Sequence, residues 1–366
     1  MSSPNILLLS AYDAVSHQHW RKGLVAAFPE YNWTVLTLPP RHFAWRIRGN
    51  SLSWASMRRE TLDKGYDLII ATSMTDLSAL KGMVPSLANT PTLLYFHENQ
   101  FDYPTTDKAF ESVEAKITSL YAALAATRIA FNSEHNRQSF LNGVQALLKK
   151  MPDHTPSNIR ELLNQRSVTL PVPIDSSWYG IGTDKSDTFT LLWNHRWEYD
   201  KAPERLFAAL TQLQKRGVDF RIHMLGQRFR KTPAVFDQMR ETLSAHIGEW
   251  GYIEEMARYQ KIVGESHVVI STALHDFQGL SILEATAAGV VPCVPDRLAY
   301  PEFIPESFRY SSCPSDEAQE ADALTSRLLT IAEAFENNAL PSPPDITPLN
   351  WELMRSRYQD EINALL

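Results

Sequence analysis

Two successive series of short apolar runs, each run followed by a longer amphipathic segment, constrain this 366-residue chain more than any other feature. Parallel strands buried on both faces read as unbroken hydrophobic stretches, and the amphipathic segments between them read as crossover helices. In the first series, residues 6–10, 33–38, 68–72, 92–96 and 128–131 are predicted strands, and 19–28, 53–64 and 110–126 are predicted helices. Pro171, Val172 and Pro173 close this series, and the polar, glycine-containing stretch 175–187 reads as a linker. The second series has predicted strands at 188–193, 220–225, 247–252, 267–271 and 290–294, with helices at 203–215, 235–245 and 281–288. Prolines at 341, 343 and 344 break the chain before a last helix, 351–365. The expectation is an α/β protein of two doubly wound, Rossmann-like domains, 1–174 and 188–340, with a C-terminal helix within 349–366. Such domains take ligands at the carboxyl ends of their strands, here in the crevice expected between them.

Several function classes fall away. No apolar segment approaches the roughly 20 residues that span a bilayer, and 5–10 is too short, without a basic lead, for a signal peptide. Cys293 and Cys313 are too few for a disulfide framework or a zinc site, so a reducing cytoplasm is expected. The histidines and acids show no metal-ligand spacing. A Walker loop and a Gly-x-Gly-x-x-Gly fingerprint are both missing, and Ser139 and Ser281 lack a nucleophile-elbow context. Net charge is −7, but unevenly spread: 1–174 carries 17 Lys/Arg against 14 Asp/Glu, a balance of +3, and the remainder a balance of −10. An anionic partner is therefore expected on the first half.

The sharpest chemistry lies in 271–285, Ser-Thr-Ala-Leu-His-Asp-Phe-Gln-Gly-Leu-Ser-Ile-Leu-Glu-Ala. A strand ends near Ser271, an acid-bearing loop follows, and a helix begins after Gly279 and Leu280. Gly279 lets backbone approach a ligand, and the helix N-terminus offers dipole and N–H groups to phosphate. Asp276 and Glu284 then read as ligand contacts, with Glu284 suited to accept both hydroxyls of a ribose; otherwise they are solvated acids beside a capped helix. Arg196 and Lys201, just after a strand, are either surface charges or a pair that neutralises a leaving diphosphate.

Residues 271–285 resemble the acid–seven–acid motif of family-four GT-B glycosyltransferases, with Asp276 where Glu is usual. Arg196 and Lys201 are similar to the cations that family places on the donor diphosphate, and Gly226 and Gly251-Tyr252-Ile253 to its loops around the nucleotide base. Further motifs narrow the likeness: His97-Glu-Asn-Gln100, Tyr103-Pro104, Phe131-Asn-Ser133, His195-Arg-Trp-Glu198 with Lys201, Tyr300-Pro-Glu302, and 41–54 around Trp45-Arg-Ile-Arg48. Together they resemble the tRNA-queuosine mannosyltransferase branch over about 6–310.

The resemblance implies a retaining transferase that moves mannose from GDP-mannose to queuosine in the anticodon of aspartate tRNA, with no metal and no membrane partner. It implies donor contacts from Arg196, Lys201, Asp276, Gly226, Gly251, Tyr252, Ile253, Gly279, Leu280 and Glu284, and a donor-sugar or transition-state contact from His97. Otherwise His97 reads as a strand-end residue bonded to backbone. Acceptor contacts are expected from His17, Trp45, Arg46 and Arg48, in a stretch whose mixed rings and cations suit single-stranded nucleic acid but also suit a loop anchored by a core tryptophan. The first loop, Tyr12 to His17, departs from the branch by lacking glycine, so it is expected to shape the acceptor side. The alternatives are a family-four transferase for a small metabolite or glycan, and a non-catalytic module that binds nucleotide sugar or tRNA.

Overall fold

The apolar runs become strands where their composition places them. The computed structural model describes residues 3–102, 113–181, 184–228 and 232–366. Contacts divide the chain into two units, Met1–Pro173 with Trp351–Leu366, and Ile174–Asn350. The first unit holds β1 (Asn5–Ser10), β2 (Asn32–Thr37), β3 (Leu68–Thr72), β4 (Thr92–Phe96), β5 (Arg128–Phe131) and β6 (Ser167–Thr169). They form one parallel sheet in the order β2-β1-β3-β4-β5-β6. Ile6, Leu7, Leu8 and Leu9 have no exposed surface, nor do Leu68 to Ala71. Each such Leu or Ile contributes about 1.5–3 kcal/mol through burial.

The second unit holds β7 (Thr190–Asn194), β8 (Arg221–Leu225), β9 (Ile247–Gly251), β10 (Val268–Ile270), β11 (Val291–Pro295) and β12 (Arg309–Tyr310). Its parallel sheet runs β12-β11-β10-β7-β8-β9. Read from β9, this is the strand order of dinucleotide-binding domains, and the winding reverses between β7 and β10. The loops after those two strands carry Arg196, Lys201 and Asp276.

Three boundaries differ from the sequence reading. The C-terminal helix, Trp351–Asn363, belongs to the first unit. Trp20 donates to the Tyr358 hydroxyl (3.0 Å), Tyr358 donates to the Pro171 carbonyl (3.0 Å), and Arg128 grips Glu361 through two bonds of 2.7 and 3.1 Å. Gly23 lets the Trp351 indole lie on its helix, where a Cβ would overlap the ring. The stretch expected as a linker is instead part of the second unit: Trp178 is buried edge-on against Tyr259, and Lys185 donates to the Ser266 carbonyl. Finally, the helix expected at 53–64 is Phe43–Met57 followed by a short turn, Arg59–Leu62.

Candidate active site

The Rossmann-type switch point of the second unit is a cross-tied pair of loops. After β7 the chain passes through a 3-10 turn, Tyr199–Lys201, to Ala202, whose φ of +45° is left-handed, and enters the helix Pro203–Lys215. An alanine held there costs of order 1 kcal/mol and persists only where neighbours over-determine it. Those neighbours come from the loop after β10. Leu274 N–H donates to the Asp200 carbonyl (2.8 Å), and Thr272 Oγ1 to the Lys201 carbonyl (2.7 Å). The Lys201 ammonium, with only 8% of its side chain exposed, donates to the His275 carbonyl at 2.5 Å. It also lies 3.3 Å from Asp200 Oδ2 and 3.6 Å from Asp276 Oδ2.

Asp276 faces two ways. Its Oδ1 accepts the Gly279 N–H at 2.9 Å, closing the loop at the start of the helix Leu280–Ala287. Burial would raise its carboxyl, but the charge of Lys201 and the neighbouring His195 hold it below the ordinary range. Asp276 is therefore ionised at neutral pH. Gly279 has φ +76°, and a Cβ there would meet the Tyr300 ring at 2.7 Å; the Tyr300 hydroxyl lies 2.7 Å from Ser271 Oγ. This packing places Tyr300, of the Tyr-Pro-Glu motif, behind the loop. His195 is buried, its Nε2 without a hydrogen-bond partner among the described residues, and burial followed by the Lys201 charge lowers it to about 4. It is neutral at pH 7.

Arg196 is the outward cation, 48% exposed, with Nη1 3.0 Å from Glu198 Oε2. The two cations expected to act alike therefore differ: Arg196 is at the rim, and Lys201 is inside the tie. Gly226, after β8, has φ +144°, and a Cβ there would overlap the His195 carbonyl. Its N–H donates to the Gly251 carbonyl (3.1 Å), and Gly251 has φ +110°. Tyr252 beside it is largely exposed, whereas Ile253 packs against the core. Glu284 lies in the helix that starts at Leu280, with part of its side chain still accessible. Burial and then the nearby Asp175 charge raise its carboxyl to about 8, against a bond from Trp178 that lowers it.

In the first unit, the His97-Glu-Asn and Phe131-Asn-Ser motifs are one asparagine network. Asn132 Nδ2 donates to the His97 carbonyl (2.9 Å), and Asn136 Nδ2 to the Phe96 carbonyl (3.1 Å) and Asn132 Oδ1 (2.8 Å). Asn99 Nδ2 donates to Asn136 Oδ1 (2.8 Å), while Ser133 Oγ caps the helix Glu134–Lys150 by accepting the Asn136 N–H. The ends of β4 and β5 are thereby locked, and the His97 ring with them. That ring stacks on His17 with centroids 4.2 Å apart and meets Trp20 edge-on. Both rings are buried, with their nitrogens free of hydrogen bonds among the described residues; His17 Nε2 is 3.6 Å from Glu98 Oε2. Burial, then proximity to His17, holds His97 well below its ordinary value, so it is neutral.

The expected acceptor stretch is helical, not a loop. Trp45 is 58% exposed and folds over Gly49, while Trp54 is the core anchor. Arg46 is only 8% exposed and lies on the buried face of the helix, unlike the exposed Trp45. Arg48 is half-exposed, with Nη1 2.8 Å from the buried Asp76 and Nε 3.6 Å from Glu114. Tyr103 and Pro104 lie outside the described residues. The sequence reading missed Asp200 as a partner of Lys201, although it immediately precedes it, and the part Asn99, Asn132 and Asn136 play together. Among the described residues no three His, Cys, Asp or Glu side chains gather as a metal site, and no helix is long and apolar enough to cross a membrane.

Residues 5–174 match the family model for the tRNA-queuosine alpha-mannosyltransferase N-terminal region. The tRNA-queuosine alpha-mannosyltransferase of Drosophila melanogaster is 31% identical over 337 residues, 89% of this chain and 86% of the relative. Among solved structures, sucrose-phosphate synthase from Thermosynechococcus elongatus superposes with TM-score 0.69 at 14% identity, covering 99% of both chains. Anabaena HepE in complex with UDP superposes with TM-score 0.65 at 12% identity, covering 99% of this chain and 100% of that one. These two likenesses show the GT-B fold. The Drosophila match, over 89% of this chain, and the family model over its first half establish the rest: this chain is a glycosyltransferase belonging to the tRNA-queuosine alpha-mannosyltransferase family.

Proposed function

We propose that this protein transfers mannose from GDP-mannose to the cyclopentenediol of queuosine in the anticodon of aspartate tRNA, with retention, without a metal, and in the cytoplasm. The observation that carries the chemistry is the Lys201–Asp276 tie at the switch point, with Arg196 outside it and a helix N-terminus beside it. Donor diphosphate at this position meets the helix dipole and draws Arg196 from Glu198, because a dianionic partner attracts it more strongly than one carboxylate. Glu284 takes the ribose hydroxyls. The positive φ angles of Gly226 and Gly251 let backbone approach the base.

As the mannosyl C1–O bond breaks, its electron pair passes to the diphosphate oxygen, whose charge Arg196 and the helix end stabilise. The queuosine hydroxyl oxygen bonds to C1 on the same face, and its proton goes to the departing diphosphate. Asp276 is held by Lys201 and Gly279 on its two oxygens, so it does not serve as a covalent nucleophile. Neutral His97 supplies a hydrogen-bond partner for a sugar hydroxyl without adding charge. Trp45 and Arg48, with exposed Arg41 and Arg58 on the same segment, offer the ring and cations that an anticodon loop needs.

Mass spectrometry of tRNA nucleosides from cells with and without the gene tests the reading. A hexose adduct of queuosine is expected in the parent and absent from the deletion strain. An unchanged adduct pattern would overturn the acceptor assignment.

A further inference from the structure

Behind the donor loops lies a buried carboxylate that the chemistry above does not use. Glu320, in the helix Glu317–Glu336, has no exposed side-chain surface and sits between two arginines. Its Oε1 accepts Arg205 Nη1 at 2.6 Å; its Oε2 accepts Arg297 Nη1 at 2.5 Å and the Cys313 N–H at 2.8 Å. Each arginine leads to one of the two loops. Arg205 stands in the first turn of the helix that follows Lys201, beyond left-handed Ala202. Arg297 forks onto the main chain of the other loop, donating from Nε to the Ala273 carbonyl (2.8 Å) and from Nη2 to the Thr272 carbonyl (3.1 Å). Beside it Leu298 is also left-handed, at φ +58°. Two non-glycine residues in that region, one next to each arm, mark backbone set by the network and not by local preference. Burial would lift the Glu320 carboxyl, but bonds and charge from Arg297, then Cys313 and Arg205, keep it below the ordinary range, so the triad is ionised.

A buried triad is not by itself a stabilising device, since well-packed apolar groups often do as well. What apolar groups cannot do is fork onto two carbonyls of one loop while pinning the helix that carries the other. We infer that Glu320 is a positioning residue that sets the spacing between the Lys201 loop and the Thr272–Gly279 loop, and so the fit of the donor's second phosphate. The inference rests on the donor site proposed above.

The test compares GDP with GMP binding by calorimetry for the full-length protein, Glu320→Gln and Arg297→Lys. Glu320→Gln keeps the shape and removes the charge; Arg297→Lys keeps the charge and removes the fork. In both, GDP affinity should fall by roughly tenfold, as when a support behind a ligand is removed, while GMP affinity, set by base and ribose contacts, stays put. The exposed Glu317→Gln on the same helix should change neither. Equal losses for GDP and GMP would mean a general structural role, and unchanged GDP affinity would mean no role; either overturns the inference. Should Glu320→Gln be insoluble, Arg297→Lys decides alone. A wild-type protein with no preference for GDP over GMP would instead overturn the donor site, and this inference with it.

Discussion

Arg196 and Lys201 should separate when each is replaced by alanine, because one is at the rim and the other inside the loop tie. Removing the Lys201 ammonium leaves Asp200 and Asp276 facing each other, with Asp200 buried, and takes away a donor to the His275 carbonyl. Breaking a buried pair from one side costs about 3–5 kcal/mol; the partial exposure of Asp276 argues for the lower end, about 3 kcal/mol. For a domain of this size that lowers the melting temperature by about 6–12 °C. The half-exposed Arg196 guanidinium pairs with Glu198 at the rim, an ion pair worth about 1 kcal/mol or less, so its variant should melt within about 4 °C of wild type. Its turnover should nevertheless fall by roughly 10²–10³, the usual loss for one partner of a developing anion. Calorimetric melting and single-turnover transfer on the same preparations measure both quantities. Equal melting shifts for the two variants, or near-normal turnover in Arg196→Ala, would refute the division of roles.

Three further outcomes follow from the geometry. Glu284 is protonated below about 8 before donor binds, and if a carboxylate is the form that takes the ribose, GDP affinity should rise between pH 6 and 8 with proton release; pH-independent binding would remove Glu284 from the site. Gly226→Ala should abolish donor binding and destabilise the second unit by several kcal/mol, about 3 or more, since its Cβ would overlap the His195 carbonyl; calorimetry and GDP titration report both. Trp45→Ala with Arg48→Ala should weaken tRNA binding and flatten its salt dependence by about 0.7 units of slope for each phosphate no longer neutralised, with GDP binding unchanged, whereas Arg46→Ala should lower stability and leave the salt slope alone; filter binding at several salt concentrations decides.

Much of this was legible because doubly wound domains write their strands as apolar runs. Leu68–Thr72, Thr92–Phe96 and Arg128–Phe131 emerge at the bounds read from composition. Strands β6 and β12 are two or three residues long and escape notice, since a run that short has no period. The helix Glu317–Glu336 also went unread, and with it Glu320, an acid that polarity alone assigns to the surface. Phe43–Met57 begins at left-handed His42 without a side-chain cap, so no start signal marks it. The positions of Arg196, Lys201 and Asp276 follow from their places in the loops after strands, and that of Glu284 from the helix that follows the second loop. That Lys201 is buried does not, because its partner loop arrives from a distant stretch of chain. The same distance separates Arg205 and Arg297 from Glu320.

The most direct test is transfer in vitro: purified protein, queuosine-containing aspartate tRNA, and GDP-mannose, UDP-galactose or UDP-glucose in separate reactions, followed by nucleoside mass spectrometry. One hexose should be added to queuosine with GDP-mannose alone, and none to tRNA that carries unmodified guanosine at the wobble position. Transfer from a UDP-sugar instead, or GDP-mannose turnover that leaves queuosine unmodified, would contradict the proposed function.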